Sequence, residues 1–368
     1  MKNVLLYGDY SCVHWTLAQG LLKTGVSVKV ASSGDGWKNY PRNINLKAKS
    51  RFEKIRVLGK HFYSSDFKQY DVIQLIGYSP FVKWHKLSKI IIQHLKKKNK
   101  RMFLGAFGCD YYWMYACMNK MFDYSFIDSK YNNKEIFNQE KCAKNNIDRH
   151  YSYKAFLLNQ YVAQICNGII AGAYDYWFAY KNTDFYNKLK YIPFPINTDE
   201  IHYYPNVINN NKVVFLIGVQ KDRFYWKGLN LVCPILEDFK KKYPKDIDII
   251  YIENIPYNEY QKVLDKVNVV VDQVYSMSHG MNALTSLAKG KVVLSGAEDC
   301  HYSLIREENN KPIINISPNN QQIKHQIENI IDSRGNIELM GLNGRKYIEK
   351  HHDYILVAKK YIEAWGGV

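Results

Sequence analysis

Asn268–Glu298 reads NVVVDQVYSMSHGMNALTSLAKGKVVLSGAE, which parses as strand, polar loop, helix, strand. NVVVD (Asn268–Asp272) and KVVL (Lys291–Leu294) are short, uninterrupted apolar runs, the kind a parallel sheet buries on both faces. Between them a helix is expected around Asn282–Lys289, opening just after Gly280. The free N–H groups of such a helix start, with the positive end of its dipole, can seat a diphosphate. A glycine there lets the anion approach the backbone closely. Gly280, Met281, Asn282 and Ala283 therefore form a candidate anion seat, and an ordinary glycine at a helix start is the competing reading.

The same alternation extends in both directions. Downstream of residue 211 it runs through a strand at Lys212–Gly218, a helix at Leu229–Lys242, a strand at Ile247–Ile252 and a helix at Tyr257–Lys266. The first half has strands at Asn3–Tyr7, Val26–Ala31, Asp71–Gly77, Arg101–Leu104 and Lys190–Pro193. It has helices at His14–Lys23 (Leu17, Leu21 and Leu22 inward) and His85–Lys98 (Leu87, Ile90, Ile91 and Leu95 inward). Repeated β-α-β units predict open parallel sheets with helices on both faces. The expected fold class is α/β, with two doubly wound, Rossmann-like domains facing a cleft. The boundaries are 1–195, a Pro- and Asn-rich hinge at 196–211, 212–350, and a terminal helix at 351–368. Ligands are expected at the carboxyl ends of the strands.

At 368 residues and 46% hydrophobic composition, the chain can bury two cores. No apolar run approaches the roughly 20 residues that span a bilayer, and no signal peptide is expected, which suggests a cytoplasmic protein. Seven scattered cysteines without CxxC or His/Cys spacing suggest neither a disulfide framework nor a zinc site. Fifty-one Lys and Arg against 34 Asp and Glu give a net charge of +17, which suits polyanionic partners or merely a solvated basic surface. Residues 83–101 carry much of this charge without one carboxylate. They make either a solvated crossover helix or a face for anionic lipid.

Directly after the first strand of the second half comes GVQKDRFYWKG (Gly218–Gly228). Its Arg223 can fork onto two phosphate oxygens and its Lys227 can supply a point charge. Taken with MNALTSLAKGKVVLSG, this order of motifs resembles glycosyltransferase family 4, whose members are retaining GT-B enzymes. SSGDGWKNYPRNINL (32–46), Pro195–Asn197, KPIINISP (311–318) and HHDYILVAKKYIEAW (351–365) are similar to sugar transferases of bacterial surface-polysaccharide clusters. The family's two glutamates, with seven residues between them, are Met277 and Thr285 here, so only the Thr285 hydroxyl stands where the donor ribose would be held. Asp272 and Glu298 are the nearest acids.

The resemblance also reaches the first half. Gly105–Asp110 (GAFGCD) looks like the family's cleft loop, with Asp110 as the catalytic candidate and helix capping as its alternative role; Phe107 stands where relatives carry a histidine. Gly8, in GDYSCVH, matches the glycine loop near the phosphate, and His14 reads as a helix residue without a ligand. The resemblance implies a nucleotide-sugar donor, a saccharide or lipid-linked acceptor, no cofactor and no obligatory metal. Domain closure about the hinge would exclude water. Other functions compatible with the sequence are a nucleotide-sugar 2-epimerase, a transferase that has lost activity, and a basic polyanion-binding protein. Recognition modules for nucleic acid are not apparent.

Overall fold

The computed structural model describes residues 2–80, 84–131, 134–135, 140–253, 255 and 257–367. The chain divides into two compact units. One comprises Met1–Tyr115, Asn146–Asn197 and His352–Val368; the other comprises Ala116–Asn145 and Thr198–His351.

The first unit is built on a seven-stranded sheet in the order Ile44–Asn45, Ser27–Ser32, Asn3–Tyr7, Val72–Leu75, Arg101–Ala106, Gly168–Ala171, Leu189–Tyr191. Every pairing is parallel. Val4, Leu5, Leu6, Ile73 and Leu104 are wholly buried, as strands covered by helices on both faces require. Each such side chain contributes roughly 1.5–3 kcal/mol of burial. The strand order reverses between Asn3–Tyr7 and Val72–Leu75, which opens a crevice at their carboxyl ends.

The second unit carries a five-stranded parallel sheet in the order Ile247–Glu253, Val213–Val219, Val269–Val271, Val292–Ser295, Ile313–Asn315. Here the order reverses between Val213–Val219 and Val269–Val271. Helix Leu229–Lys242 closes one face through Leu229, Val232, Leu236 and Phe239.

Several helix faces differ from expectation. In Val13–Lys23 the buried leucines are Leu17 and Leu21, whereas Leu22 is exposed. In His85–Lys98 the inward stripe is Ser88, Ile91, Ile92 and Leu95, an i, i+3, i+4, i+7 pattern that turns Ile90 out to solvent. Lys83, the start of the basic segment, lies outside the described residues, as do Asn254 and Pro256 in the loop after Ile247–Glu253. Among the described residues no helix is long and apolar enough to cross a membrane.

The domain boundaries differ as well. Residues 116–145 group with the second unit. There Phe126 stacks on Trp226 at 3.9 Å and Tyr124 donates to Glu298 at 2.5 Å. Most of the expected hinge is also fastened to the second unit. Arg345 donates to the carbonyls of Thr198 and Ile201, and Asn206 and Asn268 exchange hydrogen bonds.

The terminal helix, Tyr354–Ala364, belongs to the first unit. Asp353 caps it through the amides of Ile355 and Leu356, Ile196 pairs with Asp353, and Trp365 donates to Gln74. It lies against Val13–Lys23 so closely that a Cβ at Gly20 would come 2.2 Å from the Tyr354 carbonyl oxygen. Gly20→Ala is expected to cost about 1–3 kcal/mol through overpacking. Urea unfolding measures this, and a cost below about 0.5 kcal/mol would show that the two helices do not meet there.

Candidate functional site

In the second unit the chain leaves strand Val269–Val271 at Asp272, which is 2% exposed. Its Oδ1 accepts from Lys227 Nζ at 3.0 Å and from Asn282 Nδ2 at 3.3 Å. Tyr260 donates its hydroxyl to Asn282 Oδ1 and so fixes the amide's orientation. Gly280 is the N-cap of helix Met281–Ala288, with no side chain capping the helix and no acid in its first turn. An added Cβ at Gly280 would touch only Asp272 Oδ2, at 3.4 Å. The cation of one loop and the helix start of another therefore meet at the carboxyl end of one buried strand. A buried carboxylate needs such partners, because unpaired it would lose several kcal/mol of hydration.

Lys227 owes its position to a tight loop. Its amide bonds to the Arg223 carbonyl and its carbonyl accepts from Val274 N at 2.8 Å. Gly228 follows at φ 76°, where a Cβ would meet Val274 Cβ at 2.7 Å, so only glycine fits. Arg223 is solvent-exposed in the same loop.

In the first unit the crevice at the strand ends is lined by Tyr10, Gly77, Tyr78, Phe107, Asp110 and His150, among others. It encloses about 10 Å³, room for about one water, so a sugar ring enters only if a lining side chain moves. Tyr78 and His150 Nδ1 share a hydrogen bond of 3.0 Å, and burial lowers His150 to about 4, which keeps it neutral near pH 7.

Two buried acids accompany this crevice. Asp110 is 4% exposed, and burial raises it to about 6 against opposing bonds from Trp113 N and the Tyr180 hydroxyl. Asn159 accepts from Tyr111 N and donates to Tyr180, which closes the network. Asp9 is raised to about 7, chiefly by burial, while it accepts from the amides of His14 and Trp15.

No family model matches the chain, and no curated protein sequence does. Solved structures do. A sucrose-phosphate synthase from Thermosynechococcus elongatus superposes with a TM-score of 0.64 at 13% identity, over 99% of this chain and 98% of that one. HepE from Anabaena, solved with UDP and glucose, gives 0.54 at 12% identity over 99% of both chains. WaaG, a glycosyltransferase involved in lipopolysaccharide biosynthesis, gives 0.54 at 13% identity over the full length of both. The fold is GT-B. At such identities the likeness speaks to architecture alone.

Within this GT-B chain the structure brings Lys227, Gly280 and Asn282 together around Asp272, with Met281 and Ala283 in the same first turn. Thr285 lies one turn further on and is buried, as is Met277. Arg223 shares the Lys227 loop, but its side chain is exposed. Glu298 is engaged by Tyr124.

Asp110 takes up its alternative, capping role, with Oδ1 on the Trp113 amide. Gly8 does not offer its amide to a ligand, since its N–H donates to the Ala31 carbonyl at 2.7 Å. It is glycine because φ is 84° and a Cβ would lie 2.2 Å from Ile76 Cγ2. His14 is buried in helix Val13–Lys23, with Nδ1 on the Gly8 carbonyl and its ring edge-on to Phe107. Asp9 and Tyr260 were not singled out from sequence. An acid two residues past the end of an apolar strand was the available signal for Asp9, whereas nothing local marks Tyr260.

The buried acids make stability depend on pH. The folded-state value of Asp110, about 6, lies above its ordinary 3.8. Its contribution is thus fully present below pH 3.8 and is lost as pH rises through 6. Asp110→Asn is expected to remove this dependence. Between pH 4 and pH 7.5 the stability difference between parent and variant should change by about 2 kcal/mol, as seen in paired urea titrations. A pH-independent difference would refute it.

Proposed function

We propose that the chain is a glycosyltransferase that takes its sugar from a nucleotide-sugar donor, with the donor's diphosphate held in the second unit. The observation that carries this reading is the meeting of Lys227 Nζ with the uncapped helix start at Gly280, at the strand end where the sheet order reverses. The GT-B fold and the UDP found in HepE support the same donor class.

In this reading Lys227 exchanges its bond to Asp272 for a phosphate oxygen, while the N–H groups of Met281, Asn282 and Ala283 meet the rest of the charge. Arg223 adds a second cation from the same loop. The Thr285 hydroxyl serves the nucleoside, in place of a carboxylate. These protein groups neutralise the leaving diphosphate without an obligatory metal.

The reaction is retaining in this proposal. As the bond from the anomeric carbon to the diphosphate breaks, the acceptor oxygen bonds that carbon on the same face. Its proton passes to the departing phosphate oxygen. The acceptor is a saccharide or a lipid-linked saccharide of surface polysaccharide synthesis, and the crevice beside Asp110 in the first unit is its candidate site. Contact with anionic lipid falls to helix His85–Lys98, which turns Lys86, Lys97, Lys98 and Ile90 outward.

Calorimetric titration with UDP-, GDP-, dTDP- and CMP-sugars is expected to find one class that binds, and silence from all four would defeat the proposal. With that donor, Lys227→Ala should lower transfer about 10²-fold, the usual loss for one charge-stabilising donor. Far-UV circular dichroism should stay native. Near-normal transfer by this variant would count against the site.

A further inference from the structure

Glu140 is a buried acid that the donor site leaves unexplained. It comes from the 116–145 excursion and is 8% exposed. Its Oε1 accepts from Tyr225 N at 2.9 Å, and its Oε2 accepts from Trp226 N at 2.9 Å. One carboxylate thus grips two consecutive amides, and they belong to the residues immediately before Lys227. Burial raises its pKa, while those two bonds and the nearby Arg223 charge oppose the rise.

The surroundings reinforce this grip. Phe126, from the same excursion, stacks on Trp226 with rings 13° apart. Asn230, just past the loop, donates to the Lys130 carbonyl at 3.2 Å. The exit from the loop is fixed by Gly228 against Val274. A loop of this kind would otherwise sample many conformations, and holding Lys227 Nζ at a phosphate oxygen would cost that freedom at each binding event. Two charge-assisted hydrogen bonds and a stacked ring remove the freedom beforehand.

We infer that Glu140 is a positioning residue for the phosphate-binding loop: by holding the Tyr225 and Trp226 amides it aims Lys227 at the donor's diphosphate. It touches no substrate atom and acts only through the loop. The inference rests on the donor reading above, and the experiment separates the two.

UDP, GDP, dTDP and CMP are titrated by calorimetry into the wild-type protein, and the best binder is then used with Glu140→Ala, Lys227→Ala and the double variant. Glu140→Ala should weaken binding by about tenfold, and in the Lys227→Ala background its effect should shrink to within about twofold, because the two residues act through one contact. An equal factor in both backgrounds, or a change within twofold in the wild-type background, would overturn the inference while leaving the donor site standing. Failure of the wild type to bind any of the four would overturn the donor site, and this inference with it. Hydrogen exchange at Tyr225 and Trp226 should quicken in Glu140→Ala, and unchanged exchange would equally overturn it. If Glu140→Ala does not fold, Glu140→Gln replaces it, since the amide keeps one acceptor and should show a smaller loss of the same pattern.

Discussion

The Asp272 carboxylate, sunk at the end of a valine strand, is the point on which the second unit is organised. With almost no water around it, it must be answered by protein groups. Lys227 from one loop and Asn282 from the next helix do so. That demand draws the Gln220–Gly228 loop and the start of Met281–Ala288 onto one spot. It also gives the spot its chemistry: a cation and a helix terminus held side by side by one acid. The arrangement need not add much stability, since buried ion pairs often contribute little net free energy. What it does is select one geometry for the two loops.

The first unit reaches a related result by other means. Its strands also run parallel, so their carboxyl ends share one edge, and the order reversal opens that edge between Asn3–Tyr7 and Val72–Leu75. Asp9 and Asp110 are both buried here. They are satisfied by amides at helix starts and, for Asp110, by the Tyr180 hydroxyl. Burial therefore dominates and raises Asp9 to about 7 and Asp110 to about 6. Groups perturbed in this way concentrate where proteins bind and react. The capping geometry of Asp110 shows that the same placement also serves to start a helix.

Much of the architecture was legible in the chain. Short apolar runs alternate with amphipathic segments, and this names a parallel α/β fold; Leu229–Lys242 is a helix over the span read from its pattern. The weaker points were helix faces, where adjacent apolar residues such as Leu21 and Leu22, or Ile90 and Ile91, compete for one inward position. Local periodicity alone does not decide between neighbours 100° apart, and the sheet beneath them does.

What the amino-acid order determined by itself was local: which segments extend, which coil, and that Gly280, Arg223 and Lys227 stand beside strand ends, where parallel sheets bind ligands. Only the tertiary structure decided that Lys227 and Asn282 share Asp272, that Gly8 spends its amide on Ala31, and that 116–145 leaves its sequence neighbours to pack on Trp226. The reason is one of range. Strand and helix follow from interactions a few residues apart, whereas Glu140 and Tyr225 are 85 positions apart and meet only in the folded second unit.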